Sequence, residues 1–166
     1  MSATEPVVED AVGEVAPNPL WYDDARVGLR YATAARTIAE ADVVAFSGLS
    51  GDHHEVHTNA ELMRASPWGE RLVHGALVVS LVTGLRSRTG RFDESIVALA
   101  EIRAWRFTAP VLIGDTIRVH SEIVEVRDVR TGDRGFVVER IEVRNQRGET
   151  VQHGDMVTLL KRRSVT

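Results

Sequence analysis

The chain has 166 residues, of which 43% are hydrophobic and 27% charged, and its formal net charge is −4. This length suits one domain with a single sizeable core, and the composition is that of a soluble globular protein. Because both charge signs are interspersed, we expect neither nucleic acid nor an anionic membrane as a partner. The absence of cysteine excludes a disulfide scaffold, a thiolate metal site and a cysteine nucleophile.

The first 18 residues are acidic, contain proline and show no periodicity. We therefore expect a flexible tail at 1–18, followed by one domain at 19–166. The tail lacks the basic and apolar regions of a secretory signal. The longest apolar run, at 76–85, is too short to span a bilayer, which takes about 20 residues. These features predict a cytoplasmic protein without a membrane anchor.

The first elements after the tail are a strand and a helix. The segment VGLRYATAAR at 27–36 predicts a strand, and Thr37 and Glu40 have the spacing of a capping box that begins a helix. Glycines at 48 and 51 would end this helix. The residues predicted on one side of the strand are Leu29, Tyr31, Thr33 and Ala35. Those predicted on the apolar face of the helix are Ile38, Ala41, Ala45, Phe46 and Leu49.

Two further helices are predicted before the β-rich half of the chain. A second capping box, Thr58 with Glu61, would open a short helix that Pro67 breaks. The next helix, at 75–89, is apolar nearly all round, so we expect it to be buried on all sides. Arg86 and Arg88 would complement its C-terminal dipole, and Gly90 would cap it.

The rest of the chain predicts four strands, at 95–107, 116–127, 135–145 and 150–161, separated by turns that contain glycine. In the third of them Ile141 and Val143 alternate with charged residues, as a half-solvated antiparallel strand requires. One apolar helix followed by four strands predicts a single α+β domain whose antiparallel sheet wraps around that helix.

The segment DHHEVH, residues 52–57, has three interpretations. His53 and His57 could bind a metal, but the preceding glycine argues against a helix here, and the spacing differs from the HExxH of zinc proteases. The segment could also be a solvated polar turn. In the third interpretation Asp52 and His57 together hold a water molecule and exchange protons with a carbon atom of a substrate.

An acid–base pair needs a group that stabilises the negative charge on the substrate. Gly75 is a candidate because it begins the apolar helix, where backbone N–H groups are unpaired and the helix dipole favours an anion. Loss of one such donor typically costs on the order of 10²–10³-fold in rate.

Several motifs of the chain resemble those of the MaoC-like dehydratases and (R)-specific enoyl-CoA hydratases. ADVVAFSGLSGDHHEVHTN is similar to the family's SGDxNPxHxD, and PWGERLVHGALVVSLVTGL to its FGxRIAHGMLxxSL. RFTAPVLIGDTIRV and EVRNQRGETV resemble two strands of the family. The matches follow one another in order from about residue 21 to residue 160 and cover nearly the whole chain.

The resemblance implies a hot-dog fold, usually dimeric or pseudo-dimeric, and reversible hydration of trans-2-enoyl thioesters to (R)-3-hydroxyacyl thioesters. No metal or redox cofactor is implied, since the substrate itself carries coenzyme A or an acyl carrier phosphopantetheine. Asp52 and His57 would act on the water, and the N–H of Gly75 would hold the thioester carbonyl. An acyl-CoA thioesterase and a non-catalytic hot-dog subunit are the alternatives.

Four further residues receive expectations from the resemblance. Ser80 and Thr83 would line the substrate pocket, or else allow close packing against the sheet. His54 stands where the family often has asparagine, so it is expected to replace an asparagine hydrogen bond beside the substrate. His74 is expected to be a hydrogen-bonded structural residue.

Overall fold

The computed structural model describes residues 14–163 and shows an α+β domain, as the sequence predicts. After a 3₁₀ turn at Tyr22–Asp24 the helices are α1 Glu40–Ser50, α2 Glu55–Thr58, α3 Ala60–Arg64 and α4 Gly75–Ser87. The strands are β1 Arg30–Ala32, β2 Arg36–Thr37, β3 Ile96–Phe107, β4 Thr116–Asp128, β5 Arg134–Arg144 and β6 Thr150–Lys161. None of the helices within 14–163 is long and apolar enough to cross a membrane.

The four long strands and β1 form one antiparallel sheet in the order β1-β4-β5-β6-β3, and β2 pairs with the start of β4. The predicted boundaries of these four strands are confirmed to within one residue. Turns join β4 to β5 and β5 to β6, whereas β3 lies at the edge beside β6 alone. Strand β3 therefore leaves one row of backbone groups unpaired within the described chain.

The predicted wrapping of the sheet around the long helix is confirmed. One side of α4 is buried against the inner face of the sheet, where alternate residues of β4, β5 and β6 point inward. Each large apolar side chain buried in this way contributes roughly 1.5–3 kcal/mol relative to exposure. The helix residues in this core are Leu77, Val78, Leu81, Val82 and Leu85. Their main sheet partners are Ile117, Val119, Ile141, Val143, Val151 and Met156.

The expectation that the long helix is buried on all sides is wrong. Ala76, Ser80 and Gly84 are exposed, and they form one stripe because residues four apart lie on the same face. Small residues count as apolar in a sequence pattern, but each of them exposes little apolar surface. The helix also ends at Ser87, before the predicted residue 89.

Arg86 does not act on the dipole at the helix C-terminus, as the sequence suggested. Its side chain is buried and donates hydrogen bonds to the carboxylate of Glu139 and, at 3.2 Å, to Thr158 Oγ1. The hydroxyl of Tyr31 donates to Glu139 Oε1 at 2.6 Å, and Ser121 Oγ donates to the same atom at 2.9 Å. Burial, together with the charge of Glu139, raises the pKa of Tyr31. Both charges of this buried pair are therefore compensated, as burial of a charge requires.

Part of the predicted tail packs against the domain. Val15 bridges to Arg30, and the N–H of Ala16 donates to Arg30 O at 2.8 Å. Ala16 is buried, and the guanidinium of Arg91 donates to its carbonyl oxygen at 2.9 Å. Residues 14–18 therefore belong to the domain and not to the predicted tail at 1–18. Residues 1–13 lie outside the described residues.

Helix α1 begins differently from the prediction. Its N-cap is Ala39, whose N–H donates to the carboxylate of Asp42 at 2.9 Å, so the Thr37–Glu40 capping box is wrong. The hydroxyl of Thr37 instead bonds to Thr116 at 2.7 Å across the β2–β4 pair. A strand partner that is distant in the sequence thus outcompetes the local cap.

The predicted apolar face of α1 is confirmed for Ile38, which is buried just before the helix, and for Phe46, which packs against the core. It is wrong for Ala41, Ala45 and Leu49, which are exposed, Leu49 to 85%. The buried residues of the helix itself are Val43 and Ser47. Gly48 lies inside the helix, which ends at Ser50 and is capped by Gly51 in a left-handed conformation with φ 76°.

The Thr58–Glu61 capping box is wrong as well. The side chain of Asn59 caps α3 by accepting from the N–H of Leu62 at 3.0 Å, and α3 ends at Arg64, before Pro67. The strand prediction near the N-terminus is confirmed for Leu29, Tyr31 and Thr33, which are buried, although β1 itself spans only three residues and Ala35 is exposed.

Asp115, in the segment RFTAPVLIGDTIRV, links two turns by hydrogen bonds. Asp115 is buried and accepts from the N–H of Leu112 at 2.9 Å, from Gln146 Nε2 at 2.6 Å and from Arg147 at 2.9 Å. Burial opposes ionisation, but these three hydrogen bonds outweigh it and lower the pKa of Asp115. The carboxylate therefore ties the segment before β4 to the β5–β6 turn.

We expect Asp115→Asn to lower the free energy of unfolding by about 1–3 kcal/mol at pH 7, because a charged acceptor of three hydrogen bonds is lost. Since folding lowers the pKa of Asp115 from the ordinary value of 3.8, the contribution of its carboxylate to stability is complete above that value. It disappears as the pH falls through the folded pKa. Urea unfolding from pH 7 down to pH 3 checks this, with Asp93→Asn as a matched exposed control. A difference that is absent at pH 7, or that grows on acidification, would contradict the assignment.

Candidate active site

The DHHEVH segment lies between α1 and α3 and is partly helical. After Gly51, residues 52–54 are irregular, and His57 then lies on the four-residue helix α2. The prediction of a loop directly after a helix is therefore confirmed for Asp52 and wrong for His57. The short helix turns the His57 ring back toward the start of the segment, so that it approaches Asp52.

Asp52 and His57 come together as the spacing predicted. Nδ1 of His57 lies 2.7 Å from the carbonyl oxygen of Leu72. Because a carbonyl oxygen can only accept, Nδ1 carries the hydrogen and Nε2 presents its lone pair. Nε2 is 3.9 Å from Oδ2 of Asp52, too far for a direct hydrogen bond. A water molecule that bridges the two atoms would lie about 2.8 Å from each.

The two side chains differ in exposure. The side chain of Asp52 is 51% exposed and that of His57 only 13%. The carboxylate can therefore meet a substrate from solvent, while the imidazole is held against the protein interior. The backbone N–H of His54 donates to Asp52 Oδ1 at 3.3 Å, and this bond limits the rotation of the carboxylate.

His74 supports both members of the pair. Its ring is buried and stacks on the ring of His57, with the centroids 3.7 Å apart and the planes at 25°. Its Nε2 lies 3.0 Å from the carbonyl oxygen of Asp52 and 3.3 Å from Ser47 Oγ. Its Nδ1 is buried without a hydrogen-bond partner among residues 14–163. His74 thus has the hydrogen-bonded position that was expected of it, and Ser47 is a neighbour that the sequence did not indicate.

Asp52, His57 and His74 could be suspected of binding a metal, since their ligand atoms lie within 4.8 Å of one another. The ring geometry speaks against this. An imidazole lone pair lies in the ring plane, so two nearly parallel rings stacked at 3.7 Å direct their lone pairs side by side. They cannot both meet one ion at the usual distance of about 2.0–2.1 Å. The described residues therefore favour the acid–base interpretation.

Gly75 follows His74 directly and is the first residue of α4. The unpaired N–H groups of the first helical turn therefore begin beside the ring that supports His57. The prediction that Gly75 begins the long helix is confirmed. The sequence did not indicate that Gln152 donates to the carbonyl oxygen of Gly75 at 3.2 Å, because 77 residues separate the two.

His54 has a capping position. Its side chain is exposed, and its Nδ1 accepts from the N–H of Val56 at 3.3 Å, as the N-cap of α2. An asparagine side chain caps a helix through the same kind of bond. His54 therefore makes the kind of hydrogen bond that an asparagine makes, at the end of a helix, and its expected place beside the substrate stays a prediction.

Ser80 and Thr83 lie in different surroundings. Ser80 is exposed and its hydroxyl donates back to Ala76 O at 3.0 Å. Thr83 lines a cavity of about 120 Å³, and its hydroxyl donates to Ser80 O at 2.7 Å. The other residues lining this cavity are Arg86, Ser87, Phe92, Asp93, Ile96 and Leu99. The structure thus places Thr83 at a cavity, and the pocket-lining role expected of Ser80 stays a prediction.

Comparison with known families gives a match to the MaoC like domain over residues 24–146, more than half of the chain. The chain belongs to the MaoC-like domain family. Within this MaoC-like domain the match includes the Asp52–His57 segment, His74 and Gly75, together with most of the sheet.

Two curated relatives share part of their length with this MaoC-like domain. It is 35% identical over 105 residues to protein MaoC of Klebsiella aerogenes, covering 63% of the chain and 31% of the relative. It is 29% identical over 107 residues to 3-hydroxybutyryl-CoA dehydratase of Methylorubrum extorquens, covering 64% and 66%. The chain therefore spans less than two thirds of each of these relatives.

Solved structures show the same fold. A monoamine oxidase regulatory protein from Archaeoglobus fulgidus superposes with a TM-score of 0.81 at 31% identity, covering 90% of this chain and 99% of that one. The (R)-hydratase PhaJ1 of Pseudomonas aeruginosa superposes with 0.72 at 27%, covering 86% of each. A Mycobacterium tuberculosis protein with a double hotdog fold superposes with 0.75 at 19%, covering 89% of this chain and 44% of that one. The MaoC-like domain thus has the predicted hot-dog fold.

We expect His74→Phe to keep the aromatic stack on His57 but to lose the hydrogen bond to the Asp52 carbonyl. The free energy of unfolding should fall by about 1 kcal/mol, the net value of one hydrogen bond. Amide hydrogen exchange in residues 51–57 should become faster. His53→Phe, the same change at an exposed position of the segment, should leave both measurements unaltered. Unchanged exchange in His74→Phe would show that His74 does not hold Asp52.

Proposed function

We propose that the MaoC-like domain catalyses the reversible hydration of trans-2-enoyl thioesters to (R)-3-hydroxyacyl thioesters. One observation carries the proposal: His57 Nε2 and the Asp52 carboxylate lie 3.9 Å apart, with the lone pair of Nε2 available because Nδ1 donates to Leu72 O. The described relatives, a 3-hydroxybutyryl-CoA dehydratase and an (R)-hydratase, support this class of reaction.

The pair supplies both proton transfers of the hydration. A water bound between the two side chains gives one proton to His57 Nε2 while its oxygen forms a bond to C3 of the enoyl group. The electron pair of the C2–C3 π bond moves toward the thioester carbonyl. Asp52 in its protonated form then delivers its proton to C2. The proton that His57 took from water passes to Asp52 through the next water molecule, which restores both side chains. Help of this kind typically contributes about 10²–10⁴-fold in rate.

The negative charge that forms on the thioester oxygen needs a donor. The N–H of Gly75, at the start of α4, has no partner within the helix and lies at the positive end of its dipole. A donor held in place before the reaction stabilises such a charge without reorganisation. The proposal uses no metal or redox cofactor, and either coenzyme A or an acyl carrier protein could hold the acyl group. One site serves hydration and dehydration alike.

We expect Asp52→Asn and His57→Gln each to lower the rate of crotonyl-CoA hydration by about 10²-fold or more, because each removes one proton transfer. The loss of enoyl absorbance measures hydration, and a thiol reagent in parallel measures hydrolysis. His53→Gln is the matched control, since this histidine of the same segment is exposed and has no part in the mechanism.

Three outcomes would contradict the proposed function. Thiol release without loss of enoyl absorbance would identify a thioesterase instead. Full activity in either variant would exclude the proposed roles of Asp52 and His57. Loss of turnover on treatment with a chelator, restored by a divalent ion, would favour a metal mechanism over the acid–base pair.

We also propose that the domain functions as a homodimer formed through β3. This edge strand exposes apolar side chains on both faces: Ile96 is 43% exposed, Val97 42%, Leu99 38% and Ile102 42%. Exposed apolar edges of this kind invite strand pairing, and a two-fold axis would bring the same strand of a second copy opposite. The double-hotdog neighbour, of which this chain covers 44%, supports a pair of such units.

We expect the wild-type protein to sediment as a dimer and Ile102→Lys to sediment as a monomer, since a lysine in the buried centre of the interface would be desolvated without a partner. Sedimentation velocity at micromolar concentration measures the change. Leu49→Lys, on the exposed side of α1, should remain dimeric. A monomeric wild-type protein would contradict the proposed dimer. It would not bear on the proposed hydration, which the crotonyl-CoA assay tests separately.

A further inference from the structure

We infer that Trp105 and Gln152 are positioning residues that hold the oxyanion donor of Gly75 in place. The inference rests on the proposed function, in which the N–H of Gly75 meets the thioester oxygen. Neither residue belongs to the acid–base pair: Trp105 lies on the edge strand β3 and Gln152 on its neighbour β6.

The contacts form a directed chain of hydrogen bonds. Trp105 Nε1 donates to Gln152 Oε1 at 3.0 Å, and Gln152 Nε2 donates to Gly75 O at 3.2 Å. Because an indole N–H can only donate and a carbonyl can only accept, the amide of Gln152 has only one orientation that satisfies both partners. Gln152 is 2% exposed, so water cannot readily replace either hydrogen bond, and the loss of one leaves a buried polar group without a partner.

Phe107 restricts Gly75 from a second side. A Cβ atom at Gly75 would lie 2.7 Å from Cε1 and 2.9 Å from Cδ1 of the Phe107 ring. The ring thus occupies the space of the missing side chain. A glycine without such contacts has an unusually wide choice of backbone conformation. Here the residue is limited by the Phe107 ring, by the Gln152 bond and by the helix that it begins.

An irregularity in β3 brings these side chains to Gly75. Arg103 pairs with Asp155 and Arg106 with His153, so two residues of β3 stand opposite the single Gly154. Ala104, inside this bulge, has φ 47°. A Cβ atom at Gly154 would lie 2.7 Å from the Trp105 ring and 2.9 Å from its Cα. The bulge therefore requires glycine at position 154.

The bulge reverses the alternation of the strand. Arg103 points to the charged side of the sheet, where its guanidinium contacts Glu101 and Glu125. In a regular strand Trp105 would point to that same side, because residues two apart share a face. The extra residue turns Trp105 toward the core and sets Phe107 opposite Gln152. Bulges near active sites commonly re-aim side chains in this way.

The test compares Trp105→Phe, Gln152→Met and the double variant. We expect Gln152→Met to lower kcat for crotonyl-CoA hydration by about 5- to 30-fold, less than the loss expected for removing a donor altogether. Trp105→Phe, which keeps an aromatic ring but no donor, should lower kcat by a smaller factor. KM should change by less than about twofold, since the interaction is needed as the charge develops.

The double variant separates positioning from general damage. If Trp105 acts through Gln152, adding Trp105→Phe to Gln152→Met should lower kcat no further. Trp21→Phe, at a tryptophan beside the N-terminal 3₁₀ turn, is the matched control and should behave as wild type. Additive losses, losses confined to KM, or kcat values within about twofold of wild type would each overturn the inference.

A second readout distinguishes failure of the inference from failure of the proposed function. In protein labelled with ¹⁵N-glycine, the amide resonance of Gly75 should shift in Trp105→Phe and in Gln152→Met but not in Trp21→Phe. If the wild-type protein hydrates no enoyl thioester, the proposed function fails. The Gly75 resonance still shows whether Trp105 and Gln152 hold Gly75 in place. Trp105→Phe is the variant least disturbing to folding. If the Gly75 resonance does not shift in this variant, the positioning role of Trp105 and Gln152 is overturned.

Discussion

The site depends on the contacts of one buried imidazole at the start of α4. His74 stacks on the ring of His57 and bonds through Nε2 to the carbonyl oxygen of Asp52, so it fixes both members of the pair relative to the helix that it caps. Gly75 is its neighbour in the chain. Asp52, His57 and Gly75 therefore share one rigid reference, and the proposed acid–base catalysis demands such fixed geometry.

The long helix can serve as that reference because it is anchored along its length. Leu77, Val78 and Leu81 bind its first half to the sheet, and the buried Arg86 ties its last turn to Glu139. A buried ion pair adds little net stability, but its directed hydrogen bonds allow one placement only. The apolar contacts thus supply the free energy that stabilises the packing of the helix on the sheet. The Arg86–Glu139 pair fixes the position of the helix along its axis and its rotation about that axis. The exposed stripe of small residues remains outside this core.

The strands and the approach of Asp52 to His57 were predictable from the sequence because each depends on short spacings. Alternation in β4–β6 fixes the faces of the sheet, and the short helix α2 brings His57 back to Asp52. The errors concern features decided by distant residues. Thr37 bonds to Thr116 instead of capping a helix, and Arg86 turns toward Glu139, 53 residues away. The β3 bulge was likewise hidden, although an arginine and a tryptophan two apart break the expected alternation.

The departure of the segment from the family pattern has a physical explanation. Where the family often has asparagine and proline, His54 and Glu55 follow Asp52, and a rigid proline φ is lost. His54 Nδ1 replaces the cap that an asparagine would give to α2. The stiffness that proline would provide is supplied from outside the segment, because Leu72 O holds the ring of His57 and His74 holds the carbonyl of Asp52. Tertiary contacts can thus conserve the geometry of the pair while the residues between its members change.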